Sequence, residues 1–227
     1  MTSSSRATRR VAGVLALASL IVVLVASAAG TSQAASGRAH RASVPAATPR
    51  AVAFHDKMRA LWEEHGTWTH MVIVSFVGGL PDLQAEEQVL LRNQVDIGNA
   101  VKPYYGRTAG NKLTALLRAH ILGAVTVLEA AKSGDKSRLA QAEQAWFANG
   151  RQVADFLHAA NPRFLSRSAA RKMMKVHLDQ VITQAVDELS GNYAGSARAF
   201  GPYIRHILAM ADMISGGIIR QFPARFR

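Results

Sequence analysis

Four side chains in this sequence are of the type and spacing to do chemistry together: His65, Asp96, His120 and His177. Each histidine interrupts an apolar stripe at helical spacing. Leu113, Leu117, His120, Ala124 and Leu128 share one face. Met173, His177, Val181 and Ala185 share another, as do Leu61, His65, Trp68 and Val72. Two further stripes carry one polar residue each: Asn149 between Trp146 and Val153, and His206 between Tyr203 and Met210. Imidazole and carboxylate donors suit zinc, iron or copper, and helical bundles hold such sites in the core between facing helices. The expected ligand set is His65, Asp96, His120 and His177, with Asn93, Asn99, Asn149 and His206 as accessories. The plainer reading is that each polar group hydrogen-bonds a neighbour, as buried polar groups must.

The elements that position these residues are helices. From residue 51 onward the apolar pattern has the helical period, and no window alternates at period two, so no strands are expected. Gly, Pro and Ser-Gly punctuation divides the chain into about six helices, over 51–77, 83–101, 111–132, 136–160, 166–189 and 196–221. Short links make them three antiparallel hairpins, an all-α bundle. Residues equidistant from a hairpin turn lie side by side. That pairs His65 with Asp96, His120 with Asn149 and His177 with His206, all roughly 22 Å from their hairpin ends. Hairpins packed side by side would therefore carry a polar belt at mid-height.

A faint internal repeat relates the second and third hairpins. A gapless shift of 57 places His120 on His177, Ser133-Gly134 on Ser190-Gly191, and Ala154-Asp155 on Ala211-Asp212. Repetition of one supersecondary unit accounts for such self-similarity.

The chain begins as an exported protein would. Arg6, Arg9 and Arg10 precede an apolar run over 11–29 and small residues to 36. These are the parts of a secretory signal over 1–35. The run is also nearly long enough to remain as an uncleaved membrane anchor. Residues 36–50 read as a flexible spacer, 51–223 as one bundle domain and 224–227 as a basic tail. Loss of 1–35 would lower the net charge from +12 to +9. An exported cation of this kind suits an anionic cell-wall polymer or a membrane surface, and no nucleic-acid motif is present. With no cysteine, disulfides and thiolate metal sites are excluded. No second apolar run of 18 residues is expected to span a membrane.

Other constellations carry less. Lys102-Pro103-Tyr104-Tyr105-Gly106 reads as a turn with an aromatic-basic rim suited to a sugar polymer. Glu86 and Glu87 are expected to face solvent near a helix N-terminus. Met173, Met174, Met210 and Met213 read as core fillers. There is no Gly-x-Ser-x-Gly, phosphate loop or His-Glu-x-x-His, so the sequence points to a binding or structural protein before an enzyme.

The segments LWEEHGTWTHMVIVSF, LLRNQVDIGNAVKPYYG, AGNKLTALLRAH and MADMISGGIIRQFP resemble a family of uncharacterised bacterial exported proteins. The resemblance covers most of 58–223 and implies one all-helical exported domain. Some of its members carry glycosyltransferase or acetylglutamate kinase labels. Both activities normally use α/β folds, and no strands are expected here. The function expected is therefore an exported bundle that binds a metal or small ligand at its belt. The alternatives are a structural or envelope-interaction protein, and a metal-assisted hydrolase with an open coordination position beside the belt.

Overall fold

The computed structural model describes residues 48–227, and among them every regular element is helical. The signal expected over 1–35 and most of the spacer lie outside the described residues. Helix α1 spans Pro49–Gly78. It starts inside the expected spacer because Thr48 caps it, its hydroxyl accepting from the Ala51 amide, and Pro49 preorganises the first turn. It ends at Gly79 in the left-handed region.

Helix α2 spans Leu83–Ser133, where the sequence suggested two separate helices. Pro103 does not end it. The break falls at Gly106, with φ 83° and ψ 169°, a conformation open to glycine. The chain doubles back there. A Cβ on Gly98 would sit 2.8 Å from the Gly110 carbonyl oxygen, and one on Gly110 would sit 2.7 Å from that of Gly98. Two backbones twelve residues apart are thus in contact. By length and composition α2 could cross a membrane, which departs from the expectation of no second such run. It is interrupted at Gly106, however, and 39% of its most apolar stretch is buried in the fold.

Helix α3 spans Lys136–Ala160, α4 Arg167–Leu189 and α5 Tyr193–Gln221. Their starts are set by Asp135, Ser166 and Asn192, whose side chains accept from the amides of Arg138, Ala169 and Gly195. Helix α1 packs on α2, α4 and α5, α3 packs on α2 and α4, and α4 packs on α5. The shared core includes Met58, Trp62, Leu117, Trp146, Leu178, Tyr203 and Met210, each at most 4% exposed.

The C-terminus is part of this core rather than a loose basic tail. A 3-10 turn over Pro223–Phe226 buries Phe226 against Phe54 and stacks it on Tyr104. Thr48 donates to the Phe226 carbonyl, and Arg225 donates to that of Pro103 at 3.1 Å. The same cluster takes up the expected aromatic rim. Tyr105 packs edge-on to Phe222 and donates to Gln221 at 2.6 Å, and burial pushes its phenol up to about 12. Glu86 is also buried, at 5% exposure, where solvent was expected.

Candidate functional site: a buried histidine cluster

Three helices deliver one histidine each to the middle of the bundle. His65 on α1, His120 on α2 and His177 on α4 are 2%, 3% and 2% exposed. His177 lies between the other two, its ring centre 5.8 Å from His65 and 5.8 Å from His120. Each has an aromatic neighbour. His120 stacks on Trp146 at 5.3 Å, His177 stacks on Tyr203 at 5.8 Å, and His65 meets Trp62 edge-on at 5.6 Å.

The hydrogen bonds follow one construction. The residue 29 positions after each histidine is Gln94, Asn149 or His206. Gln94 Nε2 faces His65 Nδ1 at 3.2 Å, and Asn149 Oδ1 meets His120 Nδ1 at 2.7 Å. Asn149 Nδ2 donates to the Leu116 carbonyl, and His206 Nε2 to that of Met173, each carbonyl four residues before its histidine. On α1 the corresponding carbonyl of Leu61 accepts from Asn93. Trp146 Nε1 donates to the His120 backbone carbonyl at 3.0 Å, which positions the indole that stacks on the ring.

This geometry sets the tautomer of His120. Asn149 Oδ1 can only accept, so Nδ1 carries the proton and Nε2 presents a bare lone pair. That Nε2 is buried without a partner, as are His177 Nδ1 and the hydroxyl of Tyr203. Burial also keeps the rings neutral. It holds His65 down to about 3 and His120 to about 4, and His177 is held well below the usual imidazole range. The mutual repulsion of the ring charges lowers His65 and His177 further. Neutral imidazole is the form that binds metal. It is also a form that carries a single ring proton and no charge.

Of the residues expected at the site, the three histidines meet and Asp96 does not. Asp96 is 43% exposed and faces Arg92 one turn earlier, 3.7 Å away. Gln94 takes its place. The two differ by about 200° around the helix, so they lie on opposite faces. Counting from the turn located the right height on α2 but the wrong side. Asn93 is buried, Asn149 and His206 are half-buried partners of the cluster, and Asn99 is exposed. The 29-residue spacing shared with Asn149 and His206 was the signal that would have found Gln94. Among the described residues, no group of three or more His, Asp or Glu side chains is placed to hold a metal ion.

Directly beyond the cluster lies a cavity of about 30 Å³, lined by Val72, Ile121, Trp146, Val181 and Ala185, with Thr69 among few polar neighbours. It has room for about one water but offers it almost no polar partners.

No protein-family model matches the chain, and neither a curated protein nor a solved structure matches it. The functional reading therefore rests on the site.

Proposed function

We propose that this is an exported helical-bundle binding protein whose buried histidines, His65, His120 and His177, take one zinc, iron or copper ion or a small ligand with equivalent chemistry. The observation that carries the reading is that the bare Nε2 of His120 and the Nδ1 of His177 are both buried without a partner, on rings whose centres are 5.8 Å apart. Unmet polar atoms are costly in a core, and a ligand or ion would satisfy them. Ring rotations would be needed to turn three nitrogens on one ion. Asp96 has no part in this set, and Gln94, Asn149 and Tyr203 are the polar side chains against the three rings. Export, and association with an anionic wall polymer or membrane surface, complete the proposal. Their support is the N-terminal sequence pattern and a basic charge that survives its removal.

A second reading is a structural or envelope-interaction protein in which the cluster only specifies how the helices meet. What favours it is the seal: no histidine of the three is more than 3% exposed. We also infer that the bundle consists of three hairpins copied from one unit. The recurrent pairs His65–Gln94, His120–Asn149 and His177–His206 support this, as does the reversal at Gly106.

Elemental analysis of the purified protein, with titration of zinc, ferrous iron and cuprous ion, separates the two readings. The expected result is one ion per chain, lost when His120→Gln and His177→Gln are combined. Equal metal content in the folded double variant would overturn the metal reading. If no ion binds and none raises the melting temperature, the structural reading stands.

A further inference from the structure

A groove on the outside of the bundle, between α3 and α4, is built for an amphiphile. It encloses about 390 Å³, within the range of small-molecule sites. Its base is apolar: half-buried Phe147 and buried Gly150 from α3, and the edges of the core residues Met174 and Leu178 from α4, 5% and 1% exposed. Gly150 lets α3 and α4 approach closely at this base. A Cβ there would meet Leu178 at 3.3 Å and Met174 at 3.7 Å. Its rim is wholly cationic: Arg151, Arg171, Lys172 and Lys175.

The four cations differ in their partners. Asp155 grips Arg171 through both carboxylate oxygens, at 2.8 and 2.6 Å, and Asp179 holds Lys175 at 2.7 Å. Among the described residues Arg151 and Lys172 make no ion pair. They are free to meet an anion, and the held pair gives the groove a fixed wall. An apolar base alone would suit any greasy partner. Joined to the two cations that no carboxylate holds, Arg151 and Lys172, it suits a molecule with one apolar chain and one anionic head.

We infer that this groove binds a single-chain anionic amphiphile of the fatty-acid class, its chain on Phe147, Met174 and Leu178 and its carboxylate at Arg151 and Lys172. The groove is independent of the histidine cluster, so either proposal can fail without the other.

Calorimetric titration of the full chain with dodecanoate, below the concentration at which it forms micelles, tests this. One molecule should bind per chain. Dodecanol, with the same chain and no charge, should bind about tenfold more weakly or worse, and acetate should not bind. The exposed double variant Arg151→Glu, Lys172→Glu should lose about tenfold or more in affinity, a factor worth about 1.4 kcal/mol, at unchanged melting temperature. Binding of dodecanol as tight as dodecanoate, or wild-type affinity in the Arg151→Glu, Lys172→Glu variant, overturns the inference. So does stronger binding to phosphatidylglycerol vesicles than to dodecanoate with no loss in that variant, which would mark a diffuse charge effect over the whole surface.

Discussion

Acid should unfold this protein cooperatively, well above the pH at which carboxylates alone would fail. The cause is the histidine cluster. In the unfolded chain each ring titrates near 6.5, whereas in the fold His65 is held to about 3 and His120 to about 4, with His177 also well below 6.5. Below 6.5 the unfolded state therefore binds more protons than the native state, and stability falls as pH falls. The contribution of each neutral ring is intact above about 6.5 and is lost progressively toward the folded values. The limiting loss is about 1.4 kcal/mol per ring per pH unit, so by about pH 4.5 the neutral rings of His65 and His120 together cost on the order of a few kcal/mol. His177 adds in the same direction. The groups facing it are His65, His120, His206 and the Tyr203 ring, none of which offers a compensating negative charge. Against a typical total of about 5–15 kcal/mol, the sum is decisive. Urea denaturation at pH 7.5, 6.5, 5.5 and 4.5 should give free energies falling steeply over the lower three. The His177→Gln variant should show a shallower slope. A stability unchanged from pH 7.5 to about 4.5 would contradict the buried, neutral cluster. A bound metal ion would stabilise the native state by mass action and steepen the pH response, because protons compete for its ligands.

The second large effect concerns the fold-back in α2. Replacing Gly98 by alanine should destabilise the protein by about 3 kcal/mol or more, at the upper end of overpacking effects. The added methyl would meet the Gly110 carbonyl at 2.8 Å and the Thr114 side chain at 2.0 Å. Thr114 can rotate away, but the carbonyl belongs to a backbone packed against Gly98 and has nowhere to go. Gly110→Ala should cost a similar amount, since its methyl would lie 2.7 Å from the Gly98 carbonyl. Gly216 in α5 is the contrasting case. Nothing lies within 4 Å of a Cβ there, so Gly216→Ala should stabilise by about 0.5–1 kcal/mol through helix propensity and a less flexible unfolded chain. Thermal melts of the three variants check this. A Gly98→Ala protein melting with or above the wild type would show that the two halves of α2 are not in backbone contact.

The sequence by itself determined the all-helical class and most helix limits. Those are local matters: Asp135 and Ser166 cap the helices beside them, and Gly79, Gly134 and Gly191 terminate or follow them in the left-handed region, whereas the caps Thr48 and Asn192 start α1 and α5 earlier than the residue pattern suggested. It also singled out His65, His120 and His177, because a strongly polar side chain on an apolar stripe is visible in one dimension. Pro103 misled, since a proline marks strain without saying where the chain relieves it, and the relief came at Gly106. Tertiary structure alone decided which face of α2 meets α1. Two residues of difference turn a helix by more than half a circle, so Gln94 enters the cluster while Asp96 points outward to Arg92. It alone joined Phe226 to Phe54 and Tyr104 across the whole length of the described chain. Only packing, too, could leave the nitrogens of His120 and His177 without partners, because whether a polar atom is satisfied depends on neighbours from other helices.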